Sequence, residues 1–318
     1  MSHGSGDEPG RFRAPRQTID GILLLDKPAG ISSNAALQRA RRIFNARKAG
    51  HTGNLDVWAD GLLPVCFGEA TKFSAFLLDA DKIYRAEIRL GEETTTGDRE
   101  GAISYEGDVS GIDRDRVTEV VNRFIGTIEQ IPPMHSALKH HGQPLYKLAI
   151  RGIEIERAPR RVIIHALQLH GFADGLLDIE VHCSKGTYIR TLAQDIGRAL
   201  GCGAHVATLR RLRAGPFSIT DAVTLEDLAR DAATDIELLR TRLLPVDGAL
   251  DGYPAVTADA DQAMRLGRGQ AIRLSQLGDS GPLRLYDGSG RFLGIGELRD
   301  DGWVAPKRLV VGSDPGRS

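Results

Sequence analysis

Between Leu177 and Leu200 the apolar period changes from two to about 3.6, and that switch limits what the chain can become. Leu177, Ile179, Val181 and Cys183 alternate with Asp178, Glu180 and His182, the pattern of a half-buried strand. Lys185-Gly186 then reads as a turn and Thr187 as a helix cap. Ile189, Leu192, Ala193, Ile196, Ala199 and Leu200 stripe one side of a helix, which Gly201-Cys202-Gly203 ends. Arg190 falls in the first turn, where the helix dipole disfavours a cation. It is expected to have a carboxylate partner or to face solvent. A second alternation runs from Ile83 to Leu90. Tyr84, Ala86, Ile88 and Leu90 share one face; Arg85, Glu87 and Arg89 share the other. Tyr84 is expected to point inward, and periodicity by itself favours a plain core tyrosine.

Other segments follow the same logic. Ile22 to Leu25 reads as a buried strand entering the turn Asp26-Lys27-Pro28. Ser32 or Ser33 caps a helix over about 34–45, with Ala36, Leu37, Ala40, Ile43 and Phe44 as its apolar stripe. Its basic face is expected beside the loop that follows. A second helix is expected from Gly68 into Phe76-Leu77-Leu78, and a third over Val117 to Phe124. Residues 92–101 read as polar turns. From Ile131-Pro132-Pro133 to about Pro159 the chain is rich in His, Lys, Arg and Gly, with few core signals. A stretch that long is either a mobile insertion that grips a ligand or an irregular loop. After Leu243-Leu244-Pro245, short runs such as Ile272-Arg273-Leu274, Leu283 to Tyr286 and Phe292 to Gly296 alternate with Gly and Asp turns, which predicts a small β-barrel from about residue 251.

Composition removes several classes. No apolar run approaches the roughly 18 residues of a membrane helix. The first 17 residues are polar and lack the apolar centre of a signal peptide, so a disordered tail is expected. Three cysteines without a CxxC pair fit a reducing cytoplasm. Nine histidines include no HExxH pair, so no metal site is expected. Net charge is −1, which argues mildly against nucleic-acid binding. The charge is segregated, however. Arg39, Arg41, Arg42, Arg47 and Lys48 lie in the acid-free stretch 31–55, whereas 221–237 carries six acids against Arg230. A basic face and ordinary solvated helix faces explain this equally well.

The loop Gly50-His51-Thr52-Gly53-Asn54-Leu55-Asp56 has no helical or strand period. It reads as a tight turn holding Asp56 at a cleft, and an aspartate in such a loop is ordinarily a turn residue. Its neighbours change that weighting. Gly21-Ile22-Leu23-Leu24-Leu25-Asp26-Lys27-Pro28 precedes it; Gly68-Glu69-Ala70-Thr71-Lys72, Asp81-Lys82-Ile83-Tyr84-Arg85 and Cys183-Ser184-Lys185-Gly186-Thr187-Tyr188-Ile189-Arg190 follow. In this order and spacing, from about Gly21 to Val311, the chain resembles the bacterial tRNA pseudouridine-55 synthases, the B-type branch of the pseudouridine synthases.

The resemblance implies an α+β pseudouridine synthase fold, a mixed and largely antiparallel sheet flanked by helices, with a PUA-like β-barrel at the C-terminus. The expected divisions are a tail over 1–17, a catalytic domain over 18–250 with an RNA-gripping insertion at about 130–159, and an RNA-binding domain over 251–314. The implied reaction isomerises uridine 55 in the T-loop of tRNA without cofactor or metal. Asp56 is the implied nucleophile or base. Arg190 is implied to pair with it and keep it ionised, Tyr84 to stack on the target base, and His51 to support the flipped-out loop. Lys27, Lys72, Lys185 and Tyr188 also match family positions in substrate binding, the lysines with structural or phosphate-binding roles. A cytoplasmic monomer that needs no protein partner is the implied context.

One departure stands out. After Asp56 the family continues Pro, an apolar residue, Ala, Thr or Ser, then Gly; here Val57-Trp58-Ala59-Asp60-Gly61 stands. Asp60 adds a carboxylate four residues from Asp56, and two adjacent carboxylates disfavour joint ionisation, unless Asp60 faces solvent or bonds a neighbouring backbone N–H as turn aspartates do. Three competing readings remain: a non-catalytic RNA binder, a guide-RNA-dependent relative, and a glycosidase-like hydrolase using Asp56 with Asp60.

Overall fold

The computed structural model describes residues 15–273 and 280–310. Most of the expected tail, and Leu274 of an expected strand, lie outside them. The last tail residue, Gln17, is tied down: its backbone N–H donates to Asn45 O at 2.8 Å.

A ten-stranded sheet carries the larger part of the chain. Its order is Leu243–Leu244, Gly21–Lys27, Asp60–Phe67, Ala204–Ala214, Lys82–Leu90, Leu176–Cys183, Arg160–Ala173 and Gly126–Gln130, with Ala49–His51 and Phe217–Ser218 attached at the side. Pairing is antiparallel except where Ala204–Ala214 meets Asp60–Phe67, at Arg210 opposite Asp60 and Arg211 opposite Gly61. The sheet is therefore mixed and largely antiparallel, as expected.

Each half of the sheet buries a separate core. Helices Ile189–Leu200 and Arg114–Asn122 cover one half, where Ile88, Ile179, Val181, Leu192 and Ile196 are fully buried. Helices Ser33–Ile43 and Leu225–Thr234 cover the other, over Leu23, Leu25, Leu63 and Val65. Burying such side chains contributes about 1.5–3 kcal/mol each, an upper bound against a compact unfolded chain.

Three long strands escaped the periodicity argument. Arg160–Ala173 is bulged between Ile164 and Ala166 and again between Leu169 and Gly171, so its alternation slips twice. Ala204–Ala214 slips between Val206 and Thr208 and between Arg211 and Arg213. Asp60–Phe67 is buried on both faces and contains Pro64, so it has no alternation to read. Thr187 does not cap its helix: its hydroxyl donates to Ser184 O, and the Gln130 side chain instead accepts from Tyr188 N at 3.0 Å. The Gly68–Leu78 helix divides into a 3-10 turn, Gly68–Phe73, and a helix, Ser74–Asp79.

Segment 130–159 holds more structure than its composition announces. Lys139–His140 pairs with Gln143–Pro144, helix Leu145–Ala149 follows, and Met134, Leu145 and Leu148 form a small core of their own. At the C-terminus five strands form one curled sheet, in the order Ala255–Ala258, Gly281–Asp287, Phe292–Leu298, Trp303–Leu309 and Ile272–Arg273, consistent with a PUA-like module. A helix, Ala260–Gly267, joins it, opened by a capping box between Asp259 and Gln262. The module is docked on the larger sheet. Ile295 shares a core with Ile22, Leu62 and Phe73, and the Phe73 and Phe292 rings lie 5.5 Å apart.

Candidate active site

The Asp56 loop is fastened from three sides. Ala49–His51 pairs as a short strand with Asp60–Phe67, so the irregular turn starts only at Thr52. Thr52 N donates to Pro64 O at 3.1 Å. Gly53 has φ of +121°, a conformation that a Cβ disfavours, and its carbonyl accepts from the buried Arg211 guanidinium, as does that of Asn54. Ser33, in the first turn of its helix, accepts from Leu55 N at 2.8 Å and donates to Leu55 O at 3.1 Å. That contact is what the helix brings to the loop; Arg39 and Arg42 flank a groove beside Leu225 and Glu226 instead.

Asp56 then faces Arg190. Arg190 Nε lies 3.1 Å from Asp56 Oδ2, and Nη2 donates to Oδ1 at 3.5 Å. The same guanidinium donates to Asp98 Oδ2 at 3.3 Å, Thr96 O at 3.1 Å and His135 O at 2.7 Å. Arg190 is 5% exposed, so a first-turn cation is tolerated because four acceptors surround it. Asp98 is 3% exposed and is itself held by Thr96 Oγ1 at 2.6 Å and Glu100 N at 3.0 Å. Sequence reasoning left Asp98 inside a polar turn. The signal it offered was Arg190 at a helix start, a cation expected to seek a carboxylate.

Burial pushes the Asp56 carboxyl up from the ordinary carboxylate range, and Asp98 adds to the rise; Arg190, Lys27 and His135 pull it back. The pair with Arg190 therefore fixes the orientation of Asp56 and pulls against the rise, while burial sets its net direction. Asp56 keeps 37% of its side chain exposed, so the carboxylate has an open side toward solvent.

Tyr84 pairs with Val181 and is half-buried against the core. Burial pushes its hydroxyl up, with Arg211 the main opposing influence and Asp56 among its neighbours. Burial, and then Arg211, lower the His51 pKa from the ordinary imidazole value, and its Nδ1 is buried without a partner among the described residues. The backbone of Tyr188 is clamped by Gln130, and the electrostatic neighbours of its raised hydroxyl include Arg190 and Asp56.

The lysines separate from this group. Lys27 is fully buried, and its ammonium donates to Pro28 O, Ile31 O and Val57 O; burial lowers its pKa to about 8. It ties the turn at 28–31 to the residue that follows Asp56. Lys72 pairs with Glu69 and donates to Leu309 O at 2.8 Å, joining the sheet to the C-terminal module. Lys185 is exposed and pairs with Asp79 at 2.8 Å.

The departure after Asp56 is accommodated. Arg210 Nη1 binds Asp60 at 2.7 Å, while its Nη2 holds Asp26 at 2.6 Å. Asp60 is thereby paired outside the Arg190 cluster. Trp58 is buried in the core with the Arg99 guanidinium 5.9 Å from its ring centre, a cation–π contact.

Comparison with known proteins gives one consistent result. The TruB family pseudouridylate synthase N-terminal domain matches residues 41–189, the tRNA pseudouridylate synthase B C-terminal domain 190–251, and the pseudouridine synthase II TruB C-terminal region 254–310. The tRNA pseudouridine synthase B of Nitrosococcus oceani is 53% identical over 92% of this chain and 96% of its own. That of Pseudomonas aeruginosa is 52% identical over 93% and 97%. A crystal structure of a Cbf5-Nop10-Gar1 complex contains a chain with TM-score 0.71 and 26% identity, covering 91% of this chain and 84% of that one. With three domain matches end to end and half of its residues shared with full-length relatives, the chain belongs to the TruB family of pseudouridylate synthases.

Proposed function

We propose that this protein converts uridine 55 in the T-loop of tRNA to pseudouridine, with Asp56 as the reacting carboxylate. The observation that carries the reading is the asymmetry of the Asp56–Arg190 pair: the arginine is sealed in and the carboxylate keeps an open side. In the reaction the N1–C1′ bond breaks, C1′ bonds to C5, the C5 proton leaves and N1 takes one up. No redox partner is needed. A carboxylate serves this chemistry by attacking the uracil or sugar carbon, or by removing a proton. The base is unreachable within a stack and must flip out. Tyr84 then stacks on it, His51 supports the vacated loop, and Tyr188 lines the site.

Residues 18–250 act as the catalytic domain and the module from 251 binds RNA. The 130–159 segment grips the T-arm through Lys139, Lys147 and Arg151, working in the cytoplasm as a monomer. A glycosidase-like pairing is disfavoured, because Asp60 is held by Arg210 and Asp98 is sealed against Arg190. The test is to incubate the protein with an unmodified T-arm and map pseudouridine. Product at position 55 with wild type and none with Asp56→Asn supports the reading; product elsewhere, or turnover by the variant, overturns it.

A further inference from the structure

On the sheet face opposite Tyr84, three adjacent strands bring together residues far apart in sequence. Val181 and Cys183 turn inward to the core under Ile189–Leu200, so the intervening His182 turns outward. Next to it, Arg160–Ala173 bulges between Ile164 and Ala166, and the extra residue is His165. A bulge re-aims a side chain that regular alternation would place elsewhere. Here Ser184 holds it in place, with Ser184 N donating to Ile163 O at 2.8 Å and Ile163 N donating to Ser184 Oγ at 2.9 Å. On the other side, Cys183 pairs with Lys82, which leaves Asp81 at the mouth of the neighbouring strand. Its carbonyl is fixed by Gly215 N at 2.9 Å.

The side chains converge on one point. His165 Nε2 lies 3.2 Å from Asp81 Oδ2, and His182 Nε2 lies 3.9 Å from the same oxygen. The two imidazoles are 4.8 Å apart between ring centres, and the three donor atoms all lie within 4.8 Å of one another. Donors bound to a tetrahedral ion at about 2.0–2.1 Å stand about 3.3 Å apart, so small side-chain rotations suffice. All three side chains reach solvent, which gives an ion an entry path and leaves a coordination position for water. The neighbouring ammonium groups are engaged elsewhere: Lys82 donates to the carbonyls of Leu77, Leu78 and Ala80, and Lys185 pairs with Asp79.

We propose that Asp81, His165 and His182 form a site for one divalent transition-metal ion of the zinc or nickel class, which two imidazoles and a carboxylate suit. The ion ties three strands together on the side of the sheet away from Asp56. It therefore stabilises the fold without entering the reaction. No helix supplies two ligands and no short motif spans them, which is why the histidine spacing showed nothing.

The test titrates zinc alone into the full chain at pH 7.5 by calorimetry, with melting temperature as a second readout. His165→Gln/His182→Gln removes the site. His140→Gln/His141→Gln controls for the other adjacent histidine pair, whose rings lie 4.2 Å apart. The expected result is one ion at micromolar affinity in wild type and in the control. The double variant loses at least tenfold in affinity and its zinc-dependent rise in melting temperature, with T-arm turnover kept. Asp81→Asn carries the same test if the double variant does not fold. Equal binding in the variant and wild type, or no binding below 100 µM, about 10⁻⁴ M and 5.5 kcal/mol, overturns the proposal.

Discussion

Asp56 and Arg190 are separated by 134 positions in sequence, yet Arg190 Nε lies 3.1 Å from Asp56 Oδ2. The arginine is committed on its other edges to Asp98, Thr96 and His135, so it cannot follow Asp56 if the carboxylate turns. The pair holds the carboxylate against a fixed guanidinium. A substrate group reaching Asp56 meets a carboxylate already oriented, which lowers the entropic cost of the reactive geometry.

The pH dependence follows from the raised Asp56 pKa. With Asp56 reacting as the carboxylate, as proposed, activity is full above the folded-state pKa and falls as pH drops through it. Because burial raises that pKa, the acid limb lies above the ordinary aspartate value of about 3.9. Single-turnover rates against pH check this; an acid limb at or below the ordinary value contradicts it.

Asp98→Asn removes a charge-assisted partner from a sealed arginine, an interaction worth about 1.5–3 kcal/mol. The expected outcome is a single-turnover rate lowered about tenfold or more, with T-arm affinity little changed, because Asp98 is closed off from the cleft. Parallel rate and binding measurements decide; a loss confined to affinity counts against the Arg190 link.

Asp60→Thr leaves Arg210 with Asp26 as its partner. The Asp60 pair is partly exposed and is worth about 0–1 kcal/mol. Stability therefore falls by at most about 1 kcal/mol, and the pH–rate profile is unchanged even at low salt. A rate gain below neutral pH would show that Asp60 does reach Asp56.

The 130–159 segment contacts the active site through His135 and Gln130, although its own core is small. Binding a T-arm is expected to slow hydrogen exchange across Leu145–Ala149 while leaving Ile189–Leu200 unchanged. Equal protection with and without RNA would remove the gripping role.

Sequence determined those parts whose signal is local. The alternations at 83–90 and 177–183, the stripe of Ile189–Leu200 and the outer module were legible because one face of each meets water. The motif order also named Asp56 and Arg190 together, and the fold brings them into contact. Tertiary structure decided the remainder. Lys27 carries the same charge as any surface lysine, and only the three carbonyls around its ammonium make it structural. Asp98 reads as a turn residue until the fold seals it against Arg190. Asp60 looked like a rival to Asp56 until strand pairing set it opposite Arg210. In each case the deciding term is electrostatic, and it depends on partners and burial that come from distant parts of the chain.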